Sequence, residues 1–307
     1  MGAIAPCSGP SEPDRSIKQL RTPIQWYPGH IAKAEKALSE QLKRVDLVLE
    51  VRDARIPLAT CHPQIQAWIG TKAHVLVMNR VDLVSPAAAE VWRQWLQEQG
   101  TIPYFTDAQH GKGIAAVTKA AQAVGVSINQ RRRDRGMQPR PVRAVVLGFP
   151  NVGKSALINR LLQRRVVESA RRPGVTRQLR WVRLSQHLDL LDAPGVLPAR
   201  LQNQEAAYKL AICDDIGQAA YETQRVAATL VELLQELHGD RTPPGFLPTA
   251  PLLNRYQLSS AAMTGEDYLV ALANHRYQQD VERAARQLLT DFRKGLLGAI
   301  ALEVPPG

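Results

Sequence analysis

The chain has 307 residues, 45% of them hydrophobic and 5% aromatic, a composition typical of a folded protein and unlike that of a disordered one. Its 39 lysines and arginines outnumber its 28 aspartates and glutamates, and the net charge of +11 favours a polyanionic partner such as RNA over small acidic molecules alone. No apolar run approaches the roughly 18 residues of a membrane span, so we expect no role in a membrane.

The amino-terminal segment, residues 1–22, is predicted to be a flexible tail. It contains no apolar core of the kind found in signal peptides, and Glu12 and Asp14 make it a poor transit peptide. We therefore expect the protein to work in the cytoplasm.

From residue 23 the sequence alternates between apolar, β-branched runs and amphipathic stretches. The predicted elements are helices at Ile31–Arg44, Pro86–Gln99 and Ile114–Val124, and strands at Val45–Val51, His74–Met78 and Ile102–Phe105. This alternation predicts a parallel sheet whose strands are joined by helical crossovers.

The segment of about residues 129–141 breaks the rhythm, because arginine, glycine and proline replace the apolar periodicity, and it is predicted to be an exposed linker. The pattern then resumes. The later elements are strands at Val142–Leu147, Leu179–Leu184 and Leu188–Leu191, with a helix at Lys154–Leu162. We expect these strands to complete the same sheet, so that residues 23–201 form one domain.

The carboxyl-terminal part, residues 202–307, has no strand pattern and is predicted to be an all-α domain. Its predicted helices are Tyr221–Leu237, Glu266–Ala273 and Gln279–Phe292. In the last of these the apolar residues Val281, Ala285, Leu288, Leu289 and Phe292 share one face, which indicates core packing rather than a ligand surface.

The strongest motif is GFPNVGKS, Gly148–Ser155, which fits the GxxxxGK[ST] phosphate-loop pattern between a predicted strand and a predicted helix. Its backbone N–H groups are expected to surround phosphates, with Lys154 reaching the β and γ phosphates and Ser155 binding Mg²⁺. A glycine-rich turn without a ligand is the alternative interpretation.

Two further motifs follow the phosphate loop. DAPG places Asp192 at the end of a predicted strand, where phosphate-loop enzymes hold Mg²⁺ through water, and its Gly195 is positioned to meet the γ-phosphate. RRPGVTR contains Thr176, which is predicted to supply a second Mg²⁺ ligand, although an isolated loop threonine often only caps a helix.

A candidate base-recognition motif, NRVD, precedes the phosphate loop in the chain. Asp82 is expected to accept hydrogen bonds from guanine and Asn79 to supply an amide nearby, while Arg80 stands where the guanine-specific NKxD motif has lysine. Thr106, Asp107 and Ala108 form a weak match to a second base-contacting loop.

This motif order, with the base motif first and the phosphate loop and DxxG later, resembles the circularly permuted GTPases. The chain is similar to the ribosome biogenesis GTPase A (YlqF/RbgA-like) family, because the likeness extends to IQWYPGHIAKA, VLEVRDARIPLAT and the terminal DFRKGLLGAIALE. The resemblance implies a phosphate-loop α/β domain with permuted motifs and an all-α domain that contributes RNA contacts. It also implies a GTPase that assists late assembly of the large ribosomal subunit, and a monomer is the default expectation.

The residues expected at the nucleotide are Asn79, Arg80, Asp82, Thr106, Asp107, Ala108, Gly148, Pro150, Asn151, Val152, Gly153, Lys154, Ser155, Ala156, Thr176, Asp192 and Gly195. The expected catalytic residues are Lys154, Thr176 and His30, with Mg²⁺ held by Ser155, Thr176 and Asp192. Many switch GTPases orient the attacking water with a glutamine after DxxG, but Val196 occupies that position. Hydrolysis is therefore expected to be slow until the ribosome stimulates it.

Two substitutes for the missing glutamine follow from the resemblance. His30 could orient water, or it could simply cap the first helix, and Asn151 could bind K⁺, or it could satisfy its own tight loop. The alternative to a GTPase is an RNA-binding assembly factor that keeps its nucleotide only as structural support. An ATPase or kinase would require Asp82 to have no part in base selection.

Overall fold

The computed structural model describes residues 24, 38–163, 180–185, 188–192, 203–239 and 242–306. A six-stranded sheet with the order β3-β2-β1-β4-β6-β5 forms its centre. The strands are β1 (Leu47–Asp53), β2 (Ala73–Asn79), β3 (Pro103–Thr106), β4 (Val142–Leu147), β5 (Arg180–Ser185) and β6 (Leu188–Asp192). Only β5 departs from the predicted parallel arrangement. It pairs antiparallel with β6, because the two residues between these strands are too few for a crossover.

Helices cover both faces of this sheet. They are α1 (Ile65–Ile69), α2 (Pro86–Glu98), α3 (Ile114–Asp134) and α4 (Lys154–Leu161), preceded by helical residues at 38–42. Alternate side chains of β1 enter opposite cores. Leu49 and Val51 pack with Val117 of α3 and Leu157 of α4, whereas Val48 packs with the helical residues near position 38. Such two-sided burial is typical of parallel sheets.

The prediction of an exposed linker at about residues 129–141 is wrong for the first half of that segment, because α3 continues to Asp134. Val124 and Ile128 pack against the core and hold the helix beyond its predicted end. Arginine is a good helix former, and cations in the last turn are stabilised by the helix dipole. The charge run therefore ends a helix instead of interrupting the fold.

Within residues 203–239 and 242–306 there is no strand, as predicted, and there are five α-helices instead of the three predicted. They are α5 (Gln204–Ile212), α6 (Thr223–Glu236), α7 (Pro251–Tyr256), α8 (Gly265–Arg276) and α9 (Val281–Arg293). The predicted core face of α9 is confirmed, because Ala285, Leu288, Leu289 and Phe292 are all buried. Among the described residues, no helix combines the length and the apolar character that a membrane crossing requires.

The last residues of the chain bind back onto the sheet domain. Leu302 N donates to Arg55 O at 2.8 Å, and the buried carboxylate of Glu303 accepts from Leu58 N at 2.7 Å and from Ala59 N at 3.2 Å. The helical part is therefore attached to the loop that follows β1, close to the edge where the candidate site lies.

Candidate nucleotide-binding site

The candidate site lies at the carboxyl edge of the parallel strands, where open α/β sheets bind their ligands. The loop from Gly148 to Gly153 joins β4 to α4 there, and its shape depends on both glycines. Gly148 has φ 154°, and a Cβ at this position would lie 2.3 Å from Val51 O. Gly153 has φ 102°, and its Cβ would lie 2.1 Å from Asn79 Nδ2. The loop thus needs glycine for close approach as well as for conformation.

Lys154 begins α4 and is folded across its own loop. Its Nζ donates to Phe149 O at 2.7 Å and to Gly148 O at 3.1 Å, and the residue is 7% exposed. A buried ammonium at a helix amino terminus adds to the positive potential of the free N–H groups there. Ser155 is the next residue of this first turn, and Ala156 follows it, half-buried against the core.

Asn151 at the tip of the loop contacts the helical part. It adopts a left-handed conformation with φ 58°, and its Nδ2 donates to Asp214 O at 2.6 Å. Val152 N donates to Pro150 O at 2.8 Å, which closes the tight turn around Asn151. The loop is consequently tied to the residues that follow α5.

Asn79, at the end of β2, connects three segments of the site. Its Nδ2 donates to Val152 O at 2.8 Å, while its Oδ1 accepts from Thr106 Oγ1 at 3.1 Å and from Ala108 N at 3.0 Å. The side chain is buried, and both of its polar atoms are hydrogen-bonded. The structure therefore brings both candidate base motifs and the phosphate loop together through this one amide.

Arg80, which replaces the lysine of NKxD, lies among protein groups. Its Nη1 donates to Asp53 Oδ2 at 2.9 Å and to Cys213 O at 3.4 Å, and its Nη2 donates to Asn151 O. The guanidinium therefore joins β1, the phosphate loop and the helical part.

A buried charge network around Arg80 was not predicted from the sequence. Asp53 accepts from Arg55 Nη2 at 2.7 Å, and although burial alone would raise its pKa, Arg55 and Arg80 together lower it. Asp215 is also buried, its nearest cation is Arg80 at 3.8 Å, and burial raises the pKa of this carboxyl to about 8. The signal for the first pair was present in VRDAR, since charges that continue an apolar strand must be paired when buried.

Asp82, Asp107 and His110 form an acidic cluster beside these motifs, with ligand atoms within 4.8 Å of one another. The side chain of Asp107 is held by hydrogen bonds within its own loop. Its Oδ1 accepts from Gln109 N at 2.9 Å, and its Oδ2 contacts His110 Nδ1 at 2.6 Å. Burial raises the pKa of Asp82 above its usual range, and the charge of Asp107 raises it further.

The raised pKa of Asp82 predicts a pH-dependent affinity for guanine nucleotides. Only the ionised carboxylate can accept from both guanine N–H groups at once, so affinity should fall on acidification at a higher pH than an ordinary aspartate would cause. Asp107→Asn removes one source of the shift, and the loss of affinity should then occur at a lower pH. Fluorescent GDP titrations from neutral to acidic pH, with Glu98→Gln as the charge-matched control, measure this. An unchanged profile in Asp107→Asn would contradict it.

Several predicted site residues cannot be placed. His30, Thr176 and Gly195 lie outside the described residues. The backbone of Asp192 ends β6 beside Val146 of β4, so it reaches the same edge as the phosphate loop. The arrangement of the described residues fits a bound nucleotide with Mg²⁺, because a glycine-shaped loop, a buried lysine and a hydroxyl residue meet at one helix amino terminus.

Comparisons with known proteins agree with this geometry. Residues 143–241 match the family model described as "50S ribosome-binding GTPase". The chain is 32% identical over 289 residues to ribosome biogenesis GTPase A of Priestia megaterium, covering 92% of this chain and 97% of that protein. It is 32% identical over 307 residues to mitochondrial ribosome-associated GTPase 1 of Mus musculus, covering 91% and 90% respectively.

Solved structures support the fold as well. The crystal structure of GNP-bound YlqF from T. maritima superimposes with a TM-score of 0.60 at 22% identity, over 88% of this chain and 97% of that one. The GDP-bound structure of the same protein gives a TM-score of 0.57. At this level of identity the likeness concerns the fold, including the order of its motifs along the sheet.

Proposed function

Because this chain belongs to the ribosome biogenesis GTPase A family, we propose that it hydrolyses GTP to time a late step in assembly of the large ribosomal subunit. It is a GTPase that works in ribosome biogenesis, and Mg²⁺ dependence follows from that class of enzyme. The observation that carries the proposal is the glycine-shaped loop with its buried Lys154, joined through Asn79 to the candidate base motifs.

We assign the phosphate chemistry to the phosphate loop and the segments beside it. Lys154 leaves the carbonyls of Gly148 and Phe149 and binds the β and γ phosphates, where its charge stabilises the transition state. Ser155, Thr176 and Asp192 would hold Mg²⁺, which would neutralise charge at the phosphates when bound. Gly195 meets the γ-phosphate through its N–H group.

We assign base recognition to Asp82, which accepts from guanine. Asn79 supports it by holding the Thr106–Ala108 segment and the phosphate loop in register. Arg80 supports the site indirectly, because its guanidinium is bound to Asp53 and Asn151 O. Guanine selectivity therefore rests on Asp82 more than on the residue that replaces lysine.

The residue after DxxG, Val196, cannot orient water, so hydrolysis needs another group. We propose that His30 orients the attacking water and that Asn151 binds K⁺, which adds positive charge beside the phosphates. Oδ1 of Asn151 would coordinate the cation, while its Nδ2 donates to Asp214 O of the helical part at 2.6 Å. We further propose that the protein acts as a monomer in the cytoplasm and contacts RNA of the large subunit.

The second candidate function is an RNA-binding assembly factor with a structural nucleotide. The observation that favours it is the engagement of Arg80 and Asn151 by protein groups, together with Val196. Such a factor would bind GTP tightly and hydrolyse it no faster on the ribosome.

GTP turnover in KCl and in NaCl of equal ionic strength, with and without large ribosomal subunits, separates the two. We expect the particles to stimulate turnover, more strongly in KCl, and the gain to be lost in His30→Ala while nucleotide affinity is kept. Turnover indifferent to the particles, despite tight GTP binding, would favour the structural role. Equal rates in KCl and NaCl would remove the assignment of K⁺ to Asn151.

A further inference from the structure

The excess of basic over acidic residues lies in residues 1–202 of this protein. Residues 1–202 contain 30 lysines and arginines and 15 aspartates and glutamates, whereas residues 203–307 contain 9 and 13. The helical part is therefore net acidic. Electrostatic attraction supplies most non-specific affinity for nucleic acid, so the helical part is poorly suited to be the main phosphate-binding surface.

A large share of the excess charge lies at the amino edge of the sheet, opposite the candidate nucleotide site. α3 runs from the end of β3 back to the start of β4, so its carboxyl terminus reaches this edge. Leu47 of β1 pairs with Ala144 of β4 there, which brings the residues before both strands together. We call this surface the basic edge; it consists of Arg44, Arg131, Arg132, Arg133, Arg135 and Arg143.

The backbone that carries the basic edge is held in place by hydrogen bonds. Asn129 Nδ2 donates to Arg140 O at 3.0 Å, and Arg140 N donates to Asn129 Oδ1 at 3.1 Å, which binds the loop to the end of α3. Arg140 also forms a bidentate pair with Asp46, with both N–O distances at 2.8 Å. The neighbouring acid is thus already occupied by Arg140, and the arginines of the basic edge are presented on a fixed frame.

The arginines of the basic edge keep N–H groups for a partner, although Arg132 Nε donates to Gln138 O at 3.0 Å and Arg133 Nη1 donates to Gln130 Oε1 at 3.2 Å. All six are exposed except Arg132, which is half-buried, and within the described ranges none forms an ion pair with an acidic side chain. Asp134, the acid within the run, accepts from Gln130 Nε2 at 2.9 Å. The helix dipole accounts for the cations in the last turn of α3 and at its C-cap, Arg135, but it does not account for Arg44 or Arg143, which lie on other segments.

We propose that the basic edge binds the phosphate backbone of RNA, as a second contact surface of the assembly factor. Arginine is suited to this ligand, because its planar guanidinium donates two parallel hydrogen bonds to phosphate oxygens. The stretch from 129 to 143 contains no aromatic residue on which a base could stack, so the contacts are to backbone and independent of sequence. This inference rests on the proposed function, since a ribosomal particle supplies the RNA.

The basic edge lies far from the nucleotide site, and this position has a consequence for RNA binding. The nucleotide site and the helical part meet at the carboxyl edge of the sheet, while the basic edge lies at the other end of the same strands. A contact there holds the protein on RNA without covering the nucleotide site or the helical part. RNA affinity through the basic edge is therefore expected to be similar with GDP and with a non-hydrolysable GTP analogue.

The test compares two variants in which four cations are replaced by glutamine, which preserves helix propensity. The first variant replaces Arg131, Arg132, Arg133 and Arg135. The control replaces Arg276, Arg283, Arg286 and Lys294, which are exposed on the helical part. Binding of GDP-loaded protein to a mixed-sequence duplex RNA and to purified large ribosomal subunits is measured over a range of KCl concentrations, alongside GTP affinity and basal turnover.

We expect the first variant to lose on the order of tenfold or more in RNA affinity and to show a shallower salt dependence, by about one unit of log–log slope for each lost phosphate contact. The control should retain most of its affinity. Equal losses in both variants, or a loss in the control alone, would overturn the proposal. Equally weakened binding to phosphatidylserine vesicles and to RNA would also overturn it, by indicating a general anion surface.

These measurements also distinguish a failure of the basic edge from a failure of the proposed function. RNA binding is measured with GDP and does not depend on hydrolysis, so absence of ribosome-stimulated turnover would count against the proposed function alone. Normal GTP affinity and basal turnover in the first variant would confirm that its fold and nucleotide site are intact. Undiminished RNA affinity in that variant, with stimulation by ribosomal particles preserved, would overturn only the assignment of RNA binding to the basic edge.

Discussion

Replacement of Lys154 with alanine is expected to remove measurable GTP turnover while leaving the fold intact. The buried Nζ is bound only 2.7 Å from Phe149 O in the phosphate loop, where its charge is unscreened by bulk water. Loss of one such preorganised donor lowers catalytic rates by about 10²–10³ in other enzymes, and a full charge at the phosphates should matter at least as much.

Turnover, GTP affinity and thermal unfolding measured on the same preparation check this expectation. Lys119→Ala, on the exposed side of α3, is the control for removal of a lysine charge. The carbonyls of Gly148 and Phe149 lose their donor in Lys154→Ala, but the same change removes the cost of burying an ammonium, so the melting temperature should change little. Turnover close to that of the unchanged protein would refute the assignment of the phosphate loop.

Replacement of Asn79 with alanine is expected to weaken both the fold and nucleotide binding. Three buried groups lose their partner at once, namely Val152 O, Thr106 Oγ1 and Ala108 N. Each unsatisfied buried group costs about 1–3 kcal/mol, so the free energy of unfolding should fall by about 3 kcal/mol after partial relaxation. Affinity for GDP should fall as well, because the same amide aligns the phosphate loop with the Thr106–Ala108 segment.

Urea unfolding and fluorescent GDP titration, carried out on Asn79→Ala and Asn129→Ala, separate these two effects. Asn129 likewise exchanges two hydrogen bonds with a loop, through Arg140, but it lies at the opposite edge of the sheet. The control should therefore lose stability and keep its GDP affinity. Loss of stability without loss of affinity in Asn79→Ala would contradict its role in aligning the site.

The elements of the sheet domain were largely predictable, because a buried parallel strand and an amphipathic helix each leave a periodic pattern. The strand at Val142–Leu147 was predicted with the observed bounds, and the helix beginning at Lys154 differed at its end by one residue. Short helices such as α1, α5 and α7 were missed, since fewer than ten residues give too little periodicity and no motif precedes them as the phosphate-loop pattern precedes α4. The end of α3 was missed because Val124 and Ile128 are held by packing that composition does not reveal.

The candidate site was also predictable only in part. The sequence motifs located the phosphate loop and both segments near the base, because phosphate binding requires glycine, lysine and a hydroxyl residue at set spacings along the chain. The buried network of Asp53, Arg55, Arg80 and Asp215 was not foreseen, since its members are distant in sequence and meet only when the helical part packs beside β1.

By itself, the sequence determined the family, the GTPase activity and the permuted order of the motifs, because these depend on local residue patterns that survive in any packing. The tertiary structure alone decided where the charges act. It directed Arg80 and Asn151 toward the helical part, and it gathered the arginines of α3 with those near the starts of β1 and β4 at one edge. Electrostatic interactions depend on distance and burial, and both are set by which segments the fold brings together.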